Sequence, residues 1–172
     1  MFGKRVSQYL AFQWPLLVLT AAVGLARLGL SLAGTPDATV KWLSMNVLLW
    51  TGALYYGVAA HRRGFGSYKQ LLPLVTFQVA VLHAVAVTGI LLSIAGASNI
   101  FAAPEYSGPA AQNQWLHAAA HLTIGMVVAS LLLWGVASLA LWIAKRAAPR
   151  PSPSGAAHGG LTPGEGTLRC DS

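Results

Sequence analysis

The sequence predicts an all-α fold: an integral membrane four-helix bundle, both termini cytoplasmic, with a disordered C-terminal tail. Three observations predict it. Charged residues make up only 9% of the 172 residues, against about 25% in ordinary soluble domains. Hydrophobic residues reach 55%, with a mean hydropathy of +0.58. Four long stretches contain no Asp, Glu, Lys or Arg: Leu10 to Ala26, Trp42 to Ala60, Leu71 to Ala97 and Leu116 to Ala144. A water-soluble chain this small must cover most of its surface with polar groups, and the few charges here are too sparse for that.

A helix crosses the hydrocarbon core with about 20 apolar residues. After a short cytoplasmic N-terminus, residues 1–10, the first span is expected over 11–33. It reaches that length only if Arg27 is tolerated near its end. The second span is expected over 38–60. Thr35-Pro36-Asp37 precedes it and offers a cap, a proline at the first helical position and an acid in the first turn. Gly64-Phe65-Gly66-Ser67 reads as a short loop to a third span over 71–96, with Pro73 in its first turn, where a missing N–H costs nothing. The fourth span is expected over 114–143, with Asn113 as its cap. The four spans make one domain over 11–146.

Residues 147–172 change character. Pro149, Pro151 and Pro153 alternate with Arg and Ser, and Gly-rich sequence follows. Nothing there can bury a core, so the segment is expected to be a disordered cytoplasmic tail.

Orientation follows from the Lys/Arg bias. Lys4, Arg5, Arg62, Arg63, Lys69, Lys145, Arg146 and Arg150 fall on one side, and only Arg27 and Lys41 on the other. The first side is therefore expected to be cytoplasmic, in a bacterial inner membrane. Trp14, Trp42, Trp115 and Trp142 lie near span ends, as in an interfacial aromatic belt. A cleaved signal peptide is the competing account of the first span, with Lys4-Arg5 as its basic region and Ser31-Leu32-Ala33 as the cleavage site. Arg27, between the apolar core and that site, argues against it.

The net charge of +7 does not point to nucleic acid, because the basic residues sit in short clusters at the ends of apolar runs. The lone Cys170 excludes an internal disulfide, and as third residue from the end it does not form a prenylation box. There is no phosphate-binding loop, no carboxylate inside a span and no nucleophile with a plausible base.

The polar residues inside the spans are the informative ones, because lipid makes them costly. His117 and His121, four apart, project from one helix face, and Gly125 continues that face a turn deeper. Such a pair supplies two ligands to a transition metal, and Glu105 in the preceding loop is the nearest acid for a third. The plainer expectation is an interfacial His117 and a His121 that bonds a neighbouring helix. His83 sits mid-span. A haem clasped by His83 and His121 would need both at one height. His83 lies 14 residues from Lys69 and His121 lies 24 from Lys145. If those lysines mark one plane, the histidines differ in depth by roughly 15 Å. A packing hydrogen bond is the expected role of His83, with Ala80, Ala84 and Ala86 allowing close approach.

Arg27, Asn46, Ser93 and His121 fall on four different spans near the outer end, and together with Glu105 they are a candidate outer polar layer. The loop from about 97 to 113 would cover it, and its length suggests function or disorder. A Glu105–Arg27 pair would hold it as a lid. Ala53 and Gly57 form a small-residue stripe suited to close helix packing within the chain or against other membrane subunits or a second copy. The leading functional expectation is a non-catalytic subunit, assembly factor or scaffold in the lipid bilayer. A histidine-based haem or metal module and a small transporter or ligand sensor are the alternatives.

Overall fold

A computed structural model describes residues 2–102 and 111–148. The expected tail and Glu105 lie outside the described residues. The fold is all-helical: α1 (Val6–Leu32), α2 (Asp37–Val40), α3 (Met45–Arg62), α4 (Tyr68–Ile94), a 3₁₀ turn at Ile100–Ala102, α5 (Ala111–Ala120), a π-helical turn at His121–Gly125, and α6 (Met126–Ala147). Among the described residues four segments are long and apolar enough to cross a membrane: Val6–Leu32, Asp37–Arg62, Tyr68–Ile94 and Asn113–Ala147.

The element boundaries reflect local chemistry. α4 starts at Tyr68 because Ser67 and Gln70 form a reciprocal cap, with the Ser67 backbone N–H donating to Gln70 Oε1 at 2.6 Å. That early start places Pro73 sixth in the helix rather than in its first turn. Helix is already under way at Ala111, so Asn113 is not the cap of the fourth span. The second expected span is split: residues 41–44 leave the helical path between α2 and α3. α1 and α4 stop in the same way, with Gly34 and Gly96 at φ +79° and +97°. These left-handed turns let Thr35 N–H reach Leu30 O and Ala97 N–H reach Leu92 O.

The chain direction alternates from one long helix to the next. α4 is the central helix, packed on α1 and on α6, while α3 packs most extensively on α6. α1 and α6 take opposite corners. The α3–α6 seam is close because Gly57 has no side chain. A methyl there would strike the Ala137 carbonyl oxygen and stand 2.8 Å from Ala140 Cβ. The small-residue stripe is therefore used inside the chain.

The outward faces are apolar like the core, unlike those of a soluble bundle. α1 buries Gln13, Thr20 and Gly24 beside Tyr9 and Leu28, while Trp14, Val18, Leu19 and Leu25 face outward. Trp42, Trp115 and Trp142 also point out. Exposed apolar faces this extensive are those of helices that contact lipid or another apolar protein surface. Lys4, Arg5, Arg62, Arg63, Lys69, Lys145 and Arg146 are at helix ends that the topology brings to one end of the bundle, here the basic end. Several lie over aromatic rings, such as Lys145 Nζ at 4.3 Å from the Tyr68 ring centre.

Candidate functional site: a chain of three histidines

His83 on α4 and His117 and His121 on the fourth span form one hydrogen-bonded chain. Nδ1 of His83 and Nδ1 of His121 stand 2.8 Å apart. Nε2 of His121 and Nε2 of His117 stand 3.2 Å apart. His121 is thus the middle member and uses a different ring nitrogen toward each neighbour. His83 is 6% exposed, while His117 and His121 are half-buried.

The local structure explains the meeting. The i, i+4 spacing puts His117 and His121 on one face, as expected. His83 gains its place because Gly125 offers no side chain; a methyl there would stand 2.9 Å from His83 Cε1 and 3.5 Å from Nε2. The chain touches the only π-helical turn among the described residues, which begins at His121 itself. Such turns widen the helix by one residue and recur at functional sites.

The contact overturns the expected 15 Å difference in depth. The lysines used as a ruler do not mark one plane. Trp134 Nε1–H donates to the Tyr68 carbonyl at 2.8 Å, so Trp134 is level with the first residue of α4. From that bond His83 is 15 residues away along one helix and His121 is 13 away along the other, about 22 and 20 Å. α6 runs on past the start of α4 by about three and a half turns, and Lys145 reaches back to the Tyr68 ring.

Level histidines still do not make a haem clasp in this arrangement. Axial imidazoles must leave a porphyrin between them, and 2.8 Å between the ring nitrogens leaves no such space. A mononuclear metal centre needs nitrogens that converge on one point. Here the two contacts lie on different edges of the His121 ring. Among the described residues no group of three or more His, Cys, Asp or Glu is arranged to hold a metal ion.

The outer polar layer does not assemble as expected from its residues. Arg27 Nη2 donates to Asp37 Oδ1 at 2.7 Å, Asn46 is exposed and Ser93 half-buried, and His121 is engaged with the other histidines. The near part of the outer connection is tied down separately. Asn99 Nδ2 donates to Gly89 O at 2.8 Å, and Ile100 N–H donates to Ser31 Oγ at 2.9 Å.

A second buried polar pair was not anticipated. Gln13 on α1 and Gln78 on α4 are both fully buried, and Gln78 Nε2 donates to Gln13 Oε1 at 2.9 Å. An inventory of uncharged polar residues within the spans, and not only of charges and histidines, would have singled them out. No family model, curated protein or solved structure matches this chain.

Proposed function

We propose that this chain is an integral membrane protein whose working part is a histidine relay that accepts and passes protons in the outer half of the bilayer. In this reading the basic end is cytoplasmic, both termini lie on that side, and the membrane is a bacterial inner membrane. The apolar outward faces of the bundle and the one-sided placement of Lys and Arg support the topology.

One observation carries the relay: His121 contacts both other histidines through opposite ring nitrogens, at 2.8 and 3.2 Å. Each contact holds one proton, donated by one ring and accepted by the other. The nitrogens outside these two contacts are His117 Nδ1 and His83 Nε2, both of them buried. A neutral chain holds three protons, two in the contacts and one at an end. A fourth fits with both contacts intact and gives one delocalised cation. A fifth would set two N–H groups head-on at a contact.

The intact chain therefore carries a single excess proton. In the starting tautomer His117 Nε2–H donates to His121 Nε2, and His121 Nδ1–H donates to His83 Nδ1. A proton added at His117 Nδ1 lets the Nε2 proton cross to His121. The His121 Nδ1 proton then crosses to His83, and His83 releases its Nε2 proton. Within the chain every bond broken at one nitrogen is formed at the next. Water donates the proton that enters at His117 Nδ1 and accepts the one that leaves His83 Nε2, and the rings must return to the starting tautomer before the next proton passes. Imidazole suits the task because one ring offers both an N–H donor and an acceptor nitrogen.

The alternative reading, a non-catalytic subunit, assembly factor or scaffold, is supported by the absence of catalytic groups and by the small-residue face of Ala53 and Gly57, of which Gly57 packs on Ala137 of α6 within the chain.

Proteoliposomes test the relay. With a valinomycin-imposed potassium potential and an internal pH dye, the wild type is expected to move protons and His121→Phe to lose that flux. Flux no greater than in empty vesicles, or unchanged in the folded variant, would reject the relay. A visible spectrum and metal analysis of the same sample test the cofactor alternatives: a haem band or stoichiometric metal would replace the relay with a cofactor centre. Sidedness has its own check, since Cys170 is expected to react with an impermeant maleimide only after the membrane is opened.

A further inference from the structure

The glutamine pair between α1 and α4 has bonding capacity that the protein does not fill. Gln13 and Gln78 are each 0% exposed. Their one mutual bond, Gln78 Nε2 to Gln13 Oε1, leaves Gln13 Nε2 and Gln78 Oε1 without a hydrogen-bond partner among the described residues. No group among the described residues is within hydrogen-bond reach of either atom. Leu74, Val75 and Val79 are buried beside Gln78 on α4, and a methyl at Gly52 of α3 would strike Leu16 of α1 and stand 3.2 Å from Gln78 Oε1. A buried amide left with an open donor or acceptor is costly, and native interiors rarely leave one so.

We infer that a single water molecule is bound between Gln13 and Gln78. The two open atoms are one donor and one acceptor on neighbouring side chains. A molecule that accepts from Gln13 Nε2–H and donates to Gln78 Oε1 through one oxygen satisfies both. Water does this with the smallest volume, and buried waters commonly serve groups of this kind. An ion does not fit, because the site carries no charge and presents both polarities. The bridged pair pins α1 to α4, where α1 otherwise buries only a narrow face. The site does not depend on the histidine relay: Gln78 bonds α1, whereas His83 meets the fourth span.

Water-edited solid-state NMR of the full-length protein in lipid bilayers, uniformly labelled with ¹³C and ¹⁵N, tests the water. The Gln13 and Gln78 side-chain amides are assigned through Trp14 and Val79, so no variant is required. Both are expected to receive magnetisation from water as quickly as interfacial amides do, while the neighbouring Val79 backbone amide does not. Transfer to the two glutamines no faster than to Val79 would overturn the inference and show that the amides close directly on one another. Proton flux is not read in this experiment, so its outcome is separate from that of the relay.

Discussion

Replacing His121 by phenylalanine keeps a ring of similar volume but removes both hydrogen bonds of the chain. Hydrogen bonds between membrane helices contribute about 0.6 kcal/mol on average and about 1.7 at most. Loss of two therefore costs roughly 1–3 kcal/mol. His117→Phe removes the bond to His121 at a half-buried position, and that bond contributes under about 1.7 kcal/mol. The cycle His83→Phe, His121→Phe and the double variant isolates the shorter contact. The double variant should be less destabilised than the sum of the singles by about 0.6–1.7 kcal/mol. The cycle between His83 and His117 should give a smaller coupling, because those two meet only through His121. Reversible unfolding in SDS-containing mixed micelles, followed by tryptophan fluorescence, measures each term. Additivity of the His83 and His121 variants within about 0.3 kcal/mol would refute the chain as drawn.

Two glycines separate packing from helix propensity in the same assay. Gly57→Ala drives a methyl against the Ala137 carbonyl and Ala140 Cβ, and should destabilise by about 1–3 kcal/mol. Gly135→Ala meets nothing within 4 Å, and should stabilise by up to about 1 kcal/mol; equal effects at the two positions would contradict the seam. Trp134→Phe loses the bond to the Tyr68 carbonyl. It should cost about 0.6–1.7 kcal/mol, with the loss read as a lower unfolding midpoint. Arg27→Gln and Asp37→Asn break an ion pair whose side chains are 22% and 56% exposed. Each should cost under about 1 kcal/mol and less at high salt, and a larger salt-independent loss would show a different role for Arg27.

The residues by themselves determined how many long helices there are and roughly where they lie. A span needs a run of apolar residues of fixed length, and charge marks where a run must stop, so four uncharged stretches read directly as four helices. The i, i+4 geometry of His117 and His121 was equally legible, because it depends on one helix alone. The missed helix starts were readable too: the Ser67–Gln70 cap is written in the sequence.

Only the tertiary structure decided which side chains share a depth. Counting residues from Lys69 and Lys145 placed His83 and His121 far apart, because long flexible side chains reach back over several ångströms and do not fix a plane. The offset between α4 and α6 is set instead by a bond between helices, from the Trp134 indole to the Tyr68 carbonyl, and by the absence of a side chain at Gly125. The pairing of Gln13 with Gln78 likewise depends on how two distant helices are rotated about their axes. Run length and charge constrain each helix along its own axis, but rotation and register between helices arise from packing, and the histidine chain exists only because both came out right.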